Sequence, residues 1–272
     1  MSADTTTATR TDEQTTRGAT LVTGASSGIG YELAKQFAAG GDDLVLVARR
    51  EERLEALASD LRGTHGVDAT VVPMDLTGAT AVDDLLARVD EAGIHVDTLV
   101  NNAGFSVYGF YGETDPGTER SMLDLNVVAL TELTKRVVPR MVERGAGRIL
   151  NVSSTIAVYP SPGGAVYGAT KAYVLSYSLA LAEELRPHGI TVTALCPSVT
   201  DTEIFEHGGM GESGLTSQPM ATAEAVARAG YEALRAGDAI EVPTPRAKLL
   251  WHLTRLLPKS RAAKLSADFW EG

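Results

Sequence analysis

The sequence is poor in several residue types on which other protein classes depend. Cys196 is its single cysteine, so no disulfide can form within the chain. Aromatic residues make up only 6% of the sequence, and 24 Lys and Arg face 35 Asp and Glu, for a formal net charge of −11. An acidic chain of this kind is repelled by phosphate backbones. The composition therefore predicts a protein with no nucleic-acid partner.

Long hydrophobic runs and metal-binding patterns are also missing. No apolar stretch reaches the roughly 18 residues of a membrane span. Residues 1–18 are polar and rich in threonine, without the apolar core of a signal peptide. The five histidines have no spacing typical of metal ligands. We therefore expect a cytoplasmic protein with no metal site and a disordered tail over residues 1–18.

What the chain does contain is an alternation of short β-branched runs with longer helical patterns. Nearly all the strand candidates are apolar, as expected when both faces of a parallel sheet are covered. The alternation predicts an α/β fold over residues 19–245, with a single doubly wound, mostly parallel sheet of about seven strands and helices on both faces. A glycine-rich segment at 207–219 predicts a mobile loop. The strands are predicted at 19–24, 43–49, 69–74, 97–102, 147–154, 191–197 and 239–242.

Residues with distinctive chemistry follow the predicted strands. They are Gly24, Asp75, Asn101, Ser154 and Pro197, each at or just past a strand end. Open sheets of this kind bind ligands outside the carboxyl ends of their strands. The sequence therefore predicts one ligand site along that edge.

The first strand is followed by a phosphate-binding pattern, "TGASSGIG" at 23–30. Glycine permits a tight turn and close backbone approach, and a helix N-terminus offers free N–H groups to a pyrophosphate. The alternative is a glycine-rich turn without a ligand. We assign cofactor binding to Gly24, Ser26, Ser27, Gly28, Ile29 and Gly30.

The end of the second strand bears on the choice of nucleotide. A carboxylate there would bind a ribose 2′-hydroxyl and exclude a 2′-phosphate. Here the strand ends in Ala48, Arg49 and Arg50, with no acid before Glu51. The pattern favours NADP(H) over NAD(H), with Arg49 pairing with the phosphate. Otherwise both arginines merely face solvent at a helix start.

Tyr167 and Lys171 stand four residues apart in "VYGATKAY", a pattern that predicts a helix. Positions i and i+4 share one helix face. A nearby cation lowers the pKa of a phenol, which could then exchange protons near neutral pH. Taken alone, the spacing is far more often that of a surface pair.

Together these motifs resemble the short-chain dehydrogenase/reductase family. The matching stretches are "TGASSGIG", "NNAG" (101–104), "DLNVVA" around Asn126, "NVSS" (151–154) and "YGATK" (167–171), in the family's order over residues 19 to about 200. The resemblance implies an NAD(P)-dependent oxidoreductase acting on a carbonyl or alcohol, with a Ser-Tyr-Lys core and an assisting Asn.

The resemblance also implies a role for each catalytic residue. Tyr167 would be the acid/base, and Lys171 would lower the tyrosine pKa and bind the ribose. Ser154 would hydrogen-bond the substrate oxygen, whereas Ser153 would be structural. Asn126 would shape its helix and hold a water in a proton relay.

Further cofactor contacts follow from the same resemblance. Asp75 would contact the adenine, and Thr202 the carboxamide of the nicotinamide. Ser198 stands where the family often has glycine, which could restrict the backbone there. The remaining cofactor residues that the resemblance implies are Leu76, Asn102, Ala103, Gly104 and Pro197.

The substrate, assembly and C-terminus are less defined. The pocket candidates favour an apolar small molecule. A non-catalytic NADP-binding regulator and an epimerase or dehydratase are the alternatives. The family commonly forms dimers or tetramers, here through helices at about 116–143 and 166–186. The pocket candidates are Phe105, Val107, Tyr108, Ile156, Val158, Tyr159 and the loop 203–219.

Residues 246–272 form a basic amphipathic C-terminal extension. We favour the reading in which its leucine face covers the cleft or a subunit contact. The other reading, a helix resting on an anionic membrane, is weaker because one short amphipathic helix binds lipid only reversibly.

Overall fold

The computed structural model describes residues 17–203 and 220–271. Nine strands are present among them, and the seven that were predicted are confirmed within a few residues at each end. The strands are β1 (Arg17–Thr23), β2 (Leu44–Ala48), β3 (Ala69–Pro73), β4 (Ile94–Asn101), β5 (Gly147–Val152), β6 (Ile190–Leu195), β7 (Thr200–Asp201), β8 (Ala221–Thr222) and β9 (Ile240–Glu241).

Seven of these strands form one parallel sheet in the order β3-β2-β1-β4-β5-β6-β9, and β7 pairs with β8 in a separate two-stranded sheet. The order reverses between β1 and β4, which leaves a crevice at the carboxyl edge. Because β1 begins at Arg17, the last two residues of the predicted tail belong to a strand. The rest of that tail, and the predicted loop at 207–219, lie outside the described residues.

Helices cover both faces of the sheet, as the doubly wound prediction requires. Leu85, Leu133 and Leu185 fill the core on one face, and Leu33 and Leu57 fill it on the other. The helices are α1 (Gly28–Ala39), α2 (Glu51–His65), α3 (Ala81–Glu91), α4 (Pro116–Leu123), α5 (Leu130–Arg144), α6 (Ala165–Leu185), α7 (Ala223–Ala236), α8 (Pro245–Leu256) and α9 (Lys259–Glu271).

The helix predicted over 116–143 is interrupted. A π-helical turn at Asp124–Ala129 separates α4 from α5 and contains the buried Asn126. Such turns accommodate an extra residue and are frequent at functional sites. The second predicted helix, 166–186, matches α6 closely.

A buried chain of amide and hydroxyl groups holds the centre of the sheet. Asn101 Nδ2 donates to Asn151 Oδ1 (2.9 Å) and to Thr134 Oγ1 (2.9 Å), and Asn151 Nδ2 donates to Ser178 Oγ (2.9 Å). These bonds join β4 and β5 to α5 and α6. The polar groups are mutually satisfied, so they fix the register of the strands that carry the site.

The helix α8 packs on the domain through Ala247 and Trp251 and not through its leucine face, so the subunit contact stays a prediction. Ala247 and Trp251 of α8 are buried against Ala194 and Cys196 of the β6 region, next to Val158. The leucines of α8, by contrast, face solvent, so they do not cover the cleft. None of the helices in residues 17–203 and 220–271 combines the length and apolar character needed to cross a membrane.

Candidate active site

A cleft of about 500 Å³ lies along the carboxyl edge of the sheet. Nearly all the predicted site residues line it, contributed by segments that follow the strands and by the first turns of α6. Gly30 and Asn126 do not line it, but both contact residues that do. Those that line the cleft are Gly24, Ser26, Ser27, Gly28, Ile29, Arg49, Asp75, Leu76, Asn102, Ala103, Gly104, Ser154, Tyr167, Lys171, Pro197 and Thr202.

The turn before α1 has the backbone that a phosphate site needs. Gly24 has φ of +68°, and a Cβ there would lie 2.7 Å from Asn102 Nδ2. A Cβ at Gly30 would collide with the same Asn102 amide and with the Gly24 carbonyl. Asn102 Nδ2 donates to the carbonyl of Thr23 (2.9 Å), which holds the turn against β4. The N-terminus of α1 thus opens onto the cleft with room for a pyrophosphate.

Arg50 contacts this phosphate loop directly. Its Nη2 donates to Ser27 Oγ (2.6 Å) and Ser26 Oγ (3.0 Å), and its Nε donates to Ser26 Oγ (3.2 Å). Arg49, which the sequence reasoning preferred, is exposed at the mouth of the cleft. Because α2 begins at Glu51, Arg50 is its N-cap residue and its side chain turns back over the loop.

Asp75 lies across the cleft from these arginines and shapes the turn after β3. Its Oδ1 accepts from the Thr77 backbone N–H (3.0 Å) and the Thr77 hydroxyl (2.8 Å). The backbone bond lowers the pKa of Asp75 most, and the charge of Arg49 lowers it further. Asp75 is therefore a fixed anion with an outward edge available to a ligand.

Ser154 is held by the short 3₁₀ turn Thr155–Val158. Its Oγ accepts from the Ile156 N–H (3.3 Å) and donates to the Pro197 carbonyl (3.4 Å). Ser154 is also close enough to the Tyr167 side chain to lower the pKa of that phenol. The serine that follows β5 and the tyrosine of α6 therefore meet at one point in the cleft.

Lys171 lies one turn after Tyr167, with only 5% of its surface exposed. Its Nζ donates to the carbonyl of Val152 (2.9 Å), and Ser153 Oγ donates to the Lys171 carbonyl (2.8 Å). Burial lowers the pKa of Lys171 to about 8. Ser153 is thus structural, as expected.

The predicted lowering of the tyrosine pKa is not found. Burial raises the pKa of Tyr167 to about 12, and the nearby Ser154 side chain offsets only part of that rise. The Nζ of Lys171 is 5.7 Å from the Tyr167 ring centroid, because it is directed to the Val152 carbonyl. The resting tyrosine is therefore a neutral phenol.

Asn126 clamps the backbone that enters the substrate side. Its Oδ1 accepts from the Phe105 N–H (3.1 Å), and its Nδ2 donates to the Phe105 carbonyl (2.9 Å) and to Thr170 Oγ1 (3.2 Å). Gly104 fits beside it, since a Cβ there would lie 2.8 Å from Asn126 Oδ1. This amide thereby ties the segment after β4 to α6.

Aromatic side chains surround the substrate side. The Tyr108 ring meets the Tyr167 ring edge-on, with centroids 5.5 Å apart. Val107 and Val158 do not line the cleft, and Val158 packs near Trp251 instead. The loop 204–219 lies outside the described residues. Of the predicted set, Phe105, Tyr108, Ile156 and Tyr159 line the cleft; Ser121, Leu125 and Val199 line it too and were missed.

The segment after β6 closes the cofactor end of the cleft. The Cγ2 of Thr202 would lie 3.0 Å from a Cβ at Gly28, so this segment lies against the phosphate loop. Ser198 is not in the left-handed region that favours glycine, because no residue other than glycine in the described parts of the chain has a positive φ.

The cleft thus joins a glycine-rich turn at a helix N-terminus to a Ser-Tyr-Lys cluster. Dinucleotide-dependent oxidoreductases combine a nucleotide site and a catalytic cluster in this way. Residues 19–210 match the family model of the short chain dehydrogenases. The chain belongs to that family, and it is an oxidoreductase that acts on alcohols or carbonyls.

Relatives and solved structures agree with this assignment. The chain is 39% identical over 185 residues to the sulfoacetaldehyde reductase of Chromohalobacter salexigens, covering 67% of this chain and 72% of the relative. It resembles a short-chain dehydrogenase from Sphingobium yanoikuyae solved with NADPH (TM-score 0.79, 36% identity, 87% and 91% coverage). It also resembles the bulky-bulky ketone specific alcohol dehydrogenase from Comamonas testosteroni (TM-score 0.73, 29% identity, 92% and 98% coverage).

Proposed function

We propose that this protein is an NADP(H)-dependent oxidoreductase that interconverts a ketone and a secondary alcohol on an apolar small molecule. The observation that carries the proposal is the convergence of Ser154 and Tyr167 on one point of the cleft, with Lys171 behind them. Ser154 follows β5, and Tyr167 and Lys171 are one turn apart in α6, so the strand end and the helix together build the cluster.

The bound nicotinamide would supply the hydride in reduction and accept it in oxidation. Ser154 and Tyr167 would both donate hydrogen bonds to the carbonyl oxygen, which becomes more basic as negative charge builds on it. Tyr167 then gives its proton to that oxygen and completes the alcohol. The ammonium of Lys171 stabilises the phenolate that is left, and the same groups act in reverse during oxidation.

The protonation state of Tyr167 favours one direction at neutral pH. A phenol with a pKa of about 12 is fully protonated there and ready to act as an acid. Oxidation of an alcohol requires the phenolate, which becomes more populated as the pH rises. The protonated phenol is therefore the form that serves carbonyl reduction near pH 7.

Two features support NADP(H) over NAD(H). β2 ends at Ala48, so the end of this strand offers no carboxylate to a ribose 2′-hydroxyl. Arg50 and Arg49 instead bring two guanidinium groups to that end of the cleft, next to Ser26 and Ser27. The Sphingobium enzyme, solved with NADPH, is consistent with this choice.

The walls of the cleft support a neutral, apolar substrate. Among the described lining residues the cationic side chains are Arg49, Arg50 and Lys171, and the two arginines are at the cofactor end. The sequence over 204–219 adds no Lys or Arg. An anionic group on the substrate would therefore find no fixed partner beyond Lys171. This argues for a ketone such as those named for the Comamonas enzyme rather than a sulfonate such as sulfoacetaldehyde.

The test is NADPH oxidation measured against a panel of carbonyl compounds, with NADH in parallel. The panel should pair each keto acid with its ethyl ester, so that only the charge differs within a pair. We expect the esters and aryl ketones to be reduced and the acids to be poor substrates. Preference for the acids would contradict the substrate assignment, and preference for NADH would contradict the cofactor assignment.

A further inference from the structure

Glu203 lies between two arginines at the cofactor end of the cleft. Arg50 Nη1 donates to Glu203 Oε2 (2.6 Å), and Arg53 Nη1 donates to Glu203 Oε1 (2.5 Å). Each carboxylate oxygen therefore has its own guanidinium. These two bonds lower the pKa of Glu203 to about 2, so the side chain is an anion at neutral pH.

Arg50 is engaged on both sides. One side of its guanidinium holds Ser26 and Ser27 of the phosphate loop, and the other holds Glu203. Arg50 and Glu203 line the same cleft as Asp75 and the loop. An anion that is bound by two guanidinium groups at this position has the arrangement that a phosphate monoester would take.

We propose that Glu203 is an internal competitor of the cofactor's 2′-phosphate, which must displace its carboxylate to reach Arg50 and Arg53. The proposal rests on the NADP(H) preference proposed above. It makes Glu203 and Arg53 specificity-determining residues in addition to the two arginines at the end of β2.

The exposure of the cluster suits an exchange of anions. The side chain of Glu203 is 33% exposed and that of Arg53 is 51% exposed. Solvent screens ion pairs of this kind, so a dianion that contacts the same guanidiniums can replace the carboxylate. A ribose 2′-hydroxyl carries no charge, so NAD(H) would leave the cluster in place. Removing the carboxylate should therefore change only the binding of ligands that carry a 2′-phosphate.

The experiment compares wild type with Glu203→Gln by calorimetric titration of NADPH, NADH, 2′,5′-ADP and 5′-AMP. The two nucleotide fragments report binding without any turnover. We expect the variant to bind NADPH and 2′,5′-ADP about tenfold more tightly, which corresponds to about 1.4 kcal/mol. The affinities for NADH and 5′-AMP should stay unchanged. Unchanged or weaker binding of 2′,5′-ADP by the variant would overturn the proposal.

Glu52→Gln is the matched control, because it removes one exposed carboxylate from the first turn of α2 and changes the net charge equally. A gain in that variant as large as in Glu203→Gln would reduce the effect to overall charge and overturn the proposal. In Glu203→Gln, Arg53 becomes available to the phosphate. Adding Arg53→Gln should therefore remove part of the gain. If the double variant keeps the whole gain, the proposed role of Arg53 in binding the phosphate is wrong.

The outcome separates this proposal from the proposed function. Wild type that prefers 5′-AMP and NADH would mean that the cofactor assignment itself is wrong. Wild type that prefers 2′,5′-ADP, with no response to Glu203→Gln, would leave the cofactor assignment standing and reject only the competition. Thermal unfolding of each variant verifies that it is folded before titration.

Discussion

Tyr167 and Lys171 are both buried in α6, one turn apart, and burial moves their pKa values in opposite directions. The pKa of the phenol rises to about 12, and that of the ammonium falls to about 8. Each shift favours the uncharged form, because a low-dielectric site disfavours charge of either sign. The two pKa values, which are nearly equal at 10.0 and 10.5 in ordinary tyrosine and lysine, therefore move apart, and their order is reversed.

Replacing Tyr167 by Phe removes the hydroxyl and leaves the ring. Turnover should fall by a factor of about 10² or more, the scale of losing acid/base catalysis. Cofactor binding should change little, as measured by fluorescence titration. Tyr173→Phe is the control, because it removes a hydroxyl from the same helix that is bonded to Thr131. Near-normal turnover in Tyr167→Phe would refute the mechanism.

Lys171→Met tests the burial of the ammonium through stability. The pKa of about 8, against 10.5 for an ordinary lysine, corresponds to a cost of about 3 kcal/mol below pH 8. Between pH 8 and 10.5 the unfolded state binds more protons, so wild type gains stability with rising pH. Methionine has no charge to bury.

The stability of Lys171→Met relative to wild type should therefore decline by about 3 kcal/mol between pH 7 and pH 10.5. Loss of the hydrogen bond to the Val152 carbonyl adds an offset that does not depend on pH. Urea unfolding at a series of pH values measures the free energy of unfolding of both proteins. A difference that stays constant with pH would show that Lys171 titrates normally.

Arg49→Ala and Arg50→Ala should both weaken NADPH binding by about tenfold or more while affecting NADH much less, since only NADPH brings the extra phosphate. The loss should be larger for Arg50, because it also braces Ser26 and Ser27. Arg140→Ala serves as a control, since Arg140 pairs with Asp90 away from the cleft. Equal weakening of both cofactors would contradict the assignment.

The exposed leucines of α8 predict contact with a second copy of the chain. Leu249, Leu253 and Leu256 share one face and are 61%, 50% and 81% exposed. We expect light scattering at micromolar concentration to give a dimer or tetramer. Replacing all three by Gln should lower the mass. These substitutions keep Trp251, which a truncation at residue 246 would remove from the core beside β6.

A wild-type monomer in that experiment would reject the subunit contact. Binding of that monomer to anionic vesicles, lost in the triple variant, would instead identify α8 as a membrane-facing helix. A parallel substitution on the other predicted contact, Val128→Glu at the exposed edge of the π turn, tests whether assembly uses the α4–α5 region.

The sequence was sufficient to predict the strands of the main sheet and the residue types of the site. Strands were readable because each is a short apolar run bounded by turn residues, and Gly66 ends α2 in the left-handed conformation that favours glycine. The π turn was not readable, since no residue type distinguishes it from an α-helix.

Properties set by tertiary packing also escaped the sequence. Arg49 and Arg50 are identical in type, and only the point at which α2 begins decides which one turns towards Ser27. The sign of the Tyr167 pKa shift depends on how deeply α6 is buried. The leucines of α8 have helical spacing whichever way the helix is turned, so their exposure was not predictable.

The strand order places the residues for nucleotide specificity and those for substrate specificity in different parts of the chain. β1, β2, β3 and their turns, all before residue 94, build most of the nucleotide half of the cleft, and the segments after β4 build most of the substrate half. A chimera of two related proteins that is joined within α3 would therefore combine the nucleotide half of one cleft with the substrate half of the other. Residues 197–203 belong to the second part of the chain but return to the phosphate loop after β1. A working chimera must therefore keep that segment compatible with the first half.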